Sequence, residues 1–291
     1  MRFQFLKKIQ IITIICLLVF SVSSSVTFAE TGDRGHQTMN YDVYAGGLHA
    51  LEAKLDIDLT KKDRFNVELF AKTYGLLGKL APWFGTFETK GWFNQSKGEA
   101  LPEQHQSSTT WRDELEVKTY KYSKDGSFKE YSIKDDSNDG TPKEVDKELT
   151  DQTTDILSAT LEMMAVVASG QECAGKSEIF DGKRRYRLHF NHKEKVTLTK
   201  SRYNIYDGEA IQCTVRVEPL AGKWHKKPRG WFAIQEQGRK KGSMPTLWLA
   251  NLEEGAPAVP VKVRAKTSYG TFFLHLTGYQ GHEKKLALKE D

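Results

Sequence analysis

The stretch at residues 51–59, LEAKLDIDL, alternates apolar and charged side chains without interruption. Because side chains of a β-strand point alternately to the two faces of a sheet, this period of two predicts a strand with one buried and one wet face. The same alternation recurs in six further segments, at residues 65–71, 111–117, 186–190, 211–217, 259–263 and 272–276.

Short turn signals separate these segments. Asp125-Gly126 and Asp181-Gly182 each lie between two runs of strand-like residues, and Asp207-Gly208 forms a third signal. Asp-Gly favours hairpin turns because glycine adopts a positive φ without steric cost. About ten antiparallel strands joined in this way predict one extended sheet or barrel.

One segment breaks the alternation with a clear helical pattern. Residues 156–170, ILSATLEMMAVVASG, carry a broad apolar stripe, with Thr154 or Asp155 as the N-cap and Gly170 at the C′ position. So wide an apolar face predicts a helix covered by the sheet. Residues 73–84 are less regular and predict a short helix or an irregular crossover.

Two charged segments flank or interrupt the predicted core, which extends from about residue 41 to 278 of a single mainly-β domain, 30–291. Residues 134–151, KDDSNDGTPKEVDKELTD, predict a solvated loop because they combine charges with turn-forming residues. The tail at 282–291 is also charged and predicts a frayed end.

The first residues are typical of a secretory signal peptide. Three cations precede an apolar run of about ten residues, and Thr27 and Ala29 suit the −3 and −1 pockets of a signal peptidase, which predicts cleavage after Ala29. A membrane anchor is the alternative, but spanning a bilayer takes about 20 apolar residues. Removing residues 1–29 leaves 40 Lys and Arg against 38 Asp and Glu, a net charge of +2. Bulk charge therefore does not favour nucleic-acid binding, and we expect an exported, periplasmic protein.

Two cysteines remain after this cleavage, Cys173 and Cys213. An even count in an exported protein predicts a disulfide, and two buried free thiols are the alternative.

Four stretches resemble the DUF3108 family of exported bacterial proteins: YDVYAGGL from Tyr41, PWFGTFETKGW ending at Trp92, DILSA from Asp155 and IFDGKRRY from Ile179. The resemblance covers about residues 41–276 and also places the two cysteines as a pair. It implies an open, incompletely closed antiparallel β-barrel wrapped around one α-helix, similar to periplasmic lipoprotein carriers. In such a barrel Gly46-Gly47 would permit a bulge or a sharp bend, and a plain loop is the alternative.

Catalytic chemistry has no positive signal in this sequence. His189 and His192 are three residues apart, so on a strand they point to opposite faces and cannot share a metal. Ser158 lies at the helix entrance, where its spacing from Asp155 suits capping. Only one of Arg184 and Arg185 can face inward, and no phosphate-binding loop occurs. We therefore predict a protein that is not an enzyme and has no cofactor or bound metal.

Binding of an apolar ligand has better support. Aromatic residues concentrate near the glycine-rich crossover, and a half-closed sheet with a helix across it leaves a groove suited to acyl chains. The alternative is an envelope scaffold or protein-interaction module in which these side chains fill the core. The candidate groove residues are Trp83, Phe84, Phe87, Trp92 and Trp111.

A second binding hypothesis concerns the basic segment after residue 223. Trp224, Lys226, Lys227 and Trp231 combine cations with aromatic rings, which is typical of contact with an anionic membrane surface. A solvated loop with buried tryptophans is the alternative.

Overall fold

The computed structural model describes residues 35–224, 244–267 and 270–288. Fifteen strands of one antiparallel sheet and three helices lie within these ranges. The strands are β1 (His36–Ala45), β2 (Leu48–Asp58), β3 (Arg64–Thr73), β4 (Trp83–Asn94), β5 (Glu99–Trp111), β6 (Glu114–Tyr122), β7 (Phe128–Asp135), β8 (Asn138–Lys143), β9 (Gly175–Phe180), β10 (Arg184–Leu198), β11 (Gly208–Gly222), β12 (Thr246–Ala250), β13 (Val259–Thr267), β14 (Gly270–Gln280) and β15 (Lys285–Ala287). The helices are α1 (Gly75–Leu80), α2 (Lys147–Thr150) and α3 (Ile156–Ala168).

The strand order explains why the barrel stays open. Strands β8 to β1 follow one another as hairpin neighbours, β1 pairs with β14, and the order then returns through β13 to β9. Strands β8 and β9 are the two ends of this path, and they do not pair with each other in the described part of the chain. The predicted fold class, an open antiparallel barrel around one helix, is confirmed.

Aromatic side chains make contacts across part of the gap between the two ends of the sheet, where no strand pairing occurs among the described residues. The Phe180 ring, at the end of β9, lies 5.9 Å from the Tyr120 ring and 5.8 Å from the Tyr131 ring. The adjacent turn requires Gly182, which has φ +90° and whose absent Cβ would lie 2.8 Å from Tyr131 Oη. At this end the two margins of the sheet therefore meet through side chains.

The predicted helix is confirmed as α3, and both of its ends have identifiable caps. The Asp155 carboxylate accepts hydrogen bonds from the backbone N–H groups of Leu157 and Ser158, so Asp155 rather than Thr154 is the N-cap. At the other end Gly170 N–H bonds to Val167 O, and Gln171 N–H bonds to Val166 O. With Gly170 at φ +81°, this is a Schellman motif.

The predicted disulfide is also confirmed. Cys173 and Cys213 are bonded, their Cα atoms are 6.0 Å apart, and both are fully buried. The bond joins the segment after α3 to β11, so the C-terminal end of the helix is tied to the sheet. Closing a loop of 40 residues stabilises the fold by about 3–4 kcal/mol in the chain-entropy model.

The prediction of a solvated loop at residues 134–151 is wrong. The segment contains the end of β7, all of β8 and α2, and β8 pairs with β7. Its charges misled the prediction because β8 is the edge of the sheet, where charged side chains and proline discourage further strand pairing. Pro142 and Lys143 in β8 are both exposed.

The charged tail, predicted to be frayed over 282–291, differs from that prediction as far as residue 288, and residues 289–291 lie outside the described residues. Strand β15 pairs with β14, and the Glu253 carboxylate accepts hydrogen bonds from three consecutive backbone N–H groups at residues 282–284, at 3.1, 3.1 and 2.8 Å. A side chain 29 residues away in sequence thus holds the start of this segment. Local sequence patterns could not predict this contact, because Glu253 and the segment that it binds are far apart in the sequence.

Two turns also correct the sequence analysis. Gly46 and Gly47, with φ of +57° and +90°, form the tight hairpin turn between β1 and β2, not a bulge or a bend within a strand. The alternating run at 111–117 is not one strand, because β5 ends at Trp111 and β6 begins at Glu114. Arg112, at φ +58°, reverses the chain between them.

Candidate functional site

Two adjoining cavities lie between α3 and the inner face of the sheet. Their volumes are about 310 and 600 Å³, and both are lined by Leu69, Ile156, Thr160 and Val263. Small-molecule sites in proteins span about 300–1,000 Å³. Because four residues line both spaces, we treat the two cavities as one feature, the groove.

The larger cavity lies against the C-terminal strands. In the first part of β10 every second residue faces it, namely Arg184, Tyr186, Leu188 and Phe190, and Val215 and Val217 of β11 add to the wall. These residues share a face because β10 and β11 pair Leu188 with Val217 and Phe190 with Val215. Arg184 is the one charged side chain among the described residues that line either cavity.

The smaller cavity has a more apolar wall. Its lining side chains come from β1 to β4, from α3 and from two C-terminal strands: Tyr41, Leu55, Ile57, Val67, Leu69, Phe87, Ile156, Leu157, Thr160, Leu161, Met164, Pro260, Val263 and Leu274. Tyr41 lines this cavity, while its hydroxyl is itself fully buried and has no hydrogen-bond partner among the described residues. Burial also raises the pKa of Tyr41 above its usual range, so the phenol stays neutral and can donate a hydrogen bond.

The predicted aromatic residues do not form one cluster. Phe87 lines the smaller cavity, whereas Trp83 is not among the described residues that line either cavity. Both rings lie beside Gly85, at 3.0 Å for Trp83 and 3.1 Å for Phe87 from the position of a Cβ on that residue. Phe84 and Trp111 are half exposed. Trp92 is stacked beneath the Arg64 guanidinium, whose Cζ is 5.0 Å from the ring centroid.

Only one of the predicted membrane-surface residues lies in the described part of the chain. The Trp224 ring lies 4.9 Å from the Arg184 guanidinium carbon and 6.4 Å from the Tyr186 ring. Lys226, Lys227 and Trp231 lie outside the described residues. Trp224 is therefore placed beside the groove residues of β10.

A buried polar cluster lies beneath the N-terminus of α3. Asp155 accepts hydrogen bonds from Thr89 Oγ1 at 2.7 Å and from Ser158 Oγ at 2.6 Å, and Thr89 Oγ1 also lies 2.7 Å from His105 Nδ1. All four side chains are buried. Burial lowers the pKa of His105, and the Asp155 carboxylate opposes that shift by favouring the charged imidazole. Because Ser158 is fully buried and donates to a carboxylate, the cluster is arranged as a helix cap.

The sequence matches a family model described as "Protein of unknown function (DUF3108)" over residues 40–277. The chain belongs to the DUF3108 family. A crystal structure of a beta-barrel-like protein, of the domain of unknown function DUF1849 from Brucella abortus, is similar with a TM-score of 0.46 and 9% sequence identity, covering 87% of this chain and 100% of that one. A search of curated proteins gave no match.

The part of this DUF3108 chain that the structure describes contains no group of three or more potential metal ligands. His189 instead bonds to Glu218 at 2.6 Å, and His192 pairs in register with Cys213. Within the same residues, no helix has the length and apolarity needed to cross a membrane.

Two parts of the candidate site in this chain were not predicted from the sequence. The Asp155 cluster joins residues up to 66 positions apart, and a lone threonine and histidine on strands gave no signal. The inward position of Arg184 on β10 was predicted only in part: the sequence showed that one of the two adjacent arginines faces inward, but not which one. Arg184 lines the groove, whereas Arg185 bonds to Glu178 at 2.7 Å.

Proposed function

We propose that this is an exported, non-catalytic protein of the cell envelope that binds a lipid-like acyl chain in the groove. The observation that carries the proposal is the apolar space between α3 and the sheet, which the side chains of the described residues leave unfilled. Protein interiors are otherwise close-packed, with few voids larger than a water molecule. A space of this size with apolar walls is typical of a ligand site.

The test is to fill the groove from its wall. Val263 lines both cavities and lies in a strand, where an aromatic side chain is tolerated, so Val263→Trp would occupy the space. We expect native mass spectrometry to show that the purified wild-type protein carries or takes up a fatty acid. We also expect the protein to bind a fluorescent fatty-acid probe, which unlabelled fatty acid then displaces. Val263→Trp should bind at least about tenfold less, since the ligand and the indole compete for one volume.

Leu115→Trp is the matched control, because Leu115 is 50% exposed and is not among the residues lining either cavity. It should bind like the wild type. Absence of both bound lipid and probe displacement in the wild-type protein would refute the proposal and favour the scaffold role.

A second candidate role, contact with a lipid surface, is supported by an exposed apolar rim. One end of the sheet carries the β1–β2 turn, the β3–β4 connection with α1, and the β5–β6 turn. Helix α1 has no buried residue, and its Leu76 and Leu80 are 71% and 70% exposed. Exposed apolar side chains gathered in this way mark interaction surfaces. The rim consists of Leu48, Leu76, Leu77, Leu80, Phe84 and Trp111.

Vesicle flotation tests this second role. The double variant Leu76→Ser/Leu80→Ser should float less with phosphatidylcholine vesicles than the wild type does. Leu220→Ser, which changes an exposed leucine of β11, should float like the wild type. Equal flotation of all three would exclude the rim. Adding anionic lipid tests the hypothesis for Trp224, Lys226, Lys227 and Trp231, for which a charge-reversed segment should lose flotation.

A further inference from the structure

One strand gives the larger cavity a polar end and an apolar end. The residues of β10 that line it run from a cation through a phenol to two apolar side chains, in the order Arg184, Tyr186, Leu188 and Phe190. Arg184 is the first residue of the strand, directly after the 181–183 turn. A ligand that matches this wall has a charged head and an apolar chain.

Asp181 holds the Arg184 guanidinium in place through two of its three nitrogen atoms. Its Nε and Nη2 donate to a single oxygen, Asp181 Oδ2, at 2.8 and 2.6 Å. Asp181 Oδ1 is taken up by the backbone N–H groups of Lys183 and Arg184, at 3.1 and 2.9 Å. Among the described residues Nη1 has no hydrogen-bond partner, so one donor group of a fixed fork remains for an anion.

Tyr186 supplies a second donor beside it. Its hydroxyl makes no hydrogen bond with the described residues, and burial raises its pKa, so the phenol is neutral and can donate. The Trp224 ring covers the guanidinium, with its centroid 4.9 Å from Cζ. Such stacking limits the motion of the cation and partly removes it from water.

We propose that Arg184 and Tyr186 bind the anionic head group of a single-chain amphiphile whose acyl chain lies along Leu188 and Phe190. The inference rests on the proposed function and narrows it from apolar ligands to acidic amphiphiles. Asp181 orients the guanidinium and partly neutralises it, so it weakens the site that it positions. The site recognises a carboxylate or a phosphate monoester by the same two donors.

The experiment compares three ligands that share one alkyl chain. Palmitate, hexadecyl phosphate and hexadecanol are titrated by isothermal calorimetry or by probe displacement into the wild type, Arg184→Gln and Asp181→Asn. We expect the wild type to bind the better of the two anions about tenfold or more tightly than the alcohol, since hydrogen bonds to charged groups contribute roughly 1.5–3 kcal/mol. Which anion binds better identifies the head group as carboxylate or phosphate.

The variants separate the head-group site from the groove. Arg184→Gln should lose the preference for the anion and keep its affinity for hexadecanol. Asp181→Asn retains an oxygen for the backbone N–H groups of the turn and removes the competing charge, so it should bind the anion more tightly. Arg187→Gln is the matched control, because Arg187 bonds to Glu178 and does not line the groove, and it should keep the wild-type preference.

The outcomes test the head-group site and the acyl-chain groove separately. Equal binding of the alcohol and both anions by the wild type would overturn the head-group site and leave the acyl-chain groove in place. Loss of all binding in Arg184→Gln, with Asp181→Asn unchanged, would also overturn it. If none of the three ligands binds the wild type, the proposed function itself fails.

Discussion

The ends of α3 and its groove-facing side are built in opposite ways. At its N-terminus the Asp155 carboxylate takes part in hydrogen bonds with two backbone N–H groups and two hydroxyls, all buried. At its C-terminus a Schellman motif and the buried Cys173–Cys213 bond hold the chain. From the first turn of the helix onward, the side that carries Ile156 and Thr160 borders the groove.

This difference separates the part of the helix that fixes its position from the part that borders the groove. A polar group buried in a low-dielectric interior is tolerated only when its partners are present, so the Asp155 cluster specifies where α3 sits. The groove has no such requirement, because apolar walls can stay unfilled. Because the ends of α3 are held by these bonds, the side of the helix that borders the groove does not have to fix its position.

The largest expected effect comes from releasing the N-terminal end. Asp155→Ala removes the cap and leaves the hydroxyls of Thr89 and Ser158 buried without their acceptor, so we expect the free energy of unfolding to fall by about 3–5 kcal/mol. Urea unfolding followed by circular dichroism measures it. Asp146→Ala is the matched control, since Asp146 caps α2 on the surface, and it should lose about 1 kcal/mol. Similar losses in the two variants would show that burial of the Asp155 cluster adds nothing.

Releasing the C-terminal end should have the next largest effect. Replacing both Cys173 and Cys213 by Ala removes a bond that closes 40 residues, with an expected loss of about 3 kcal/mol. Because the alanines leave the groove lining unchanged, fatty-acid binding below the unfolding transition should persist. Reduction of the wild type with a thiol under the same conditions should give a matching loss. If the double variant is as stable as the oxidised protein, the bond does not hold the helix.

A smaller effect is expected from pH. Burial lowers the pKa of His105 in the folded state, so below the unfolded pKa of about 6.5 the unfolded chain binds a proton that the folded chain resists. Stability should therefore fall as the pH is lowered from 7 towards 5, by at most about 1.4 kcal/mol per pH unit for this group. His275 acts in the same direction, since burial and then Lys262 lower its pKa to about 4.

The contribution of the cluster is isolated by substitution. The Asp155 carboxylate and the Tyr120 ring face His105, so the variant His105→Gln changes the titrating group and keeps a hydrogen-bonding side chain there. We expect a shallower loss of stability between pH 7 and 5 in His105→Gln than in the wild type. Substitution of the exposed His282 by Gln should leave the slope unchanged. Parallel slopes for all three proteins would contradict the expected protonation of His105 on unfolding.

The smallest effect on stability is expected in the groove. Val263→Trp adds volume where space is already open, so the free energy of unfolding should change by less than about 1 kcal/mol in either direction, although binding is lost. The same replacement of a valine by a tryptophan in a closely packed core would instead lower the free energy of unfolding by about 1–3 kcal/mol. A loss in that upper range would mean that the groove is filled in solution, which would remove the contrast between the ends of α3 and its groove-facing side.

Local pattern predicted most of the elements in this fold because each depends on neighbours in sequence. The alternation at 51–59 lies in β2 except for its last residue, and the apolar stripe with Asp155 and Gly170 at its ends became α3 with both caps. The errors occurred where long-range partners decide the structure. The charged run at 134–151 forms β8 because β7 is available to pair with it. The charged tail continues into β15 because Glu253 and β14 hold it.

The candidate site was predicted in kind but hardly in its residues. The sequence led to an expected apolar groove between a helix and a half-closed sheet, yet of the five aromatic residues proposed for it only Phe87 is among the lining residues. Position along the sheet explains the rest. Phe84 and Trp111 lie near the end of the sheet that carries α1, where side chains extend beyond the cover of the helix and remain half exposed.

The sequence by itself determined the strand and helix periodicities, the hairpin turns at Asp125-Gly126 and Asp181-Gly182, the capping of α3 and the pairing of two cysteines, because each is a matter of backbone geometry or of counting. Tertiary structure alone decided that β8 and β9 do not pair, that Arg184 rather than Arg185 faces inward, and that Thr89 and His105 meet Asp155. These outcomes depend on sheet curvature and on where α3 is held above the sheet. Open space is a property of that distance, and no single residue encodes it.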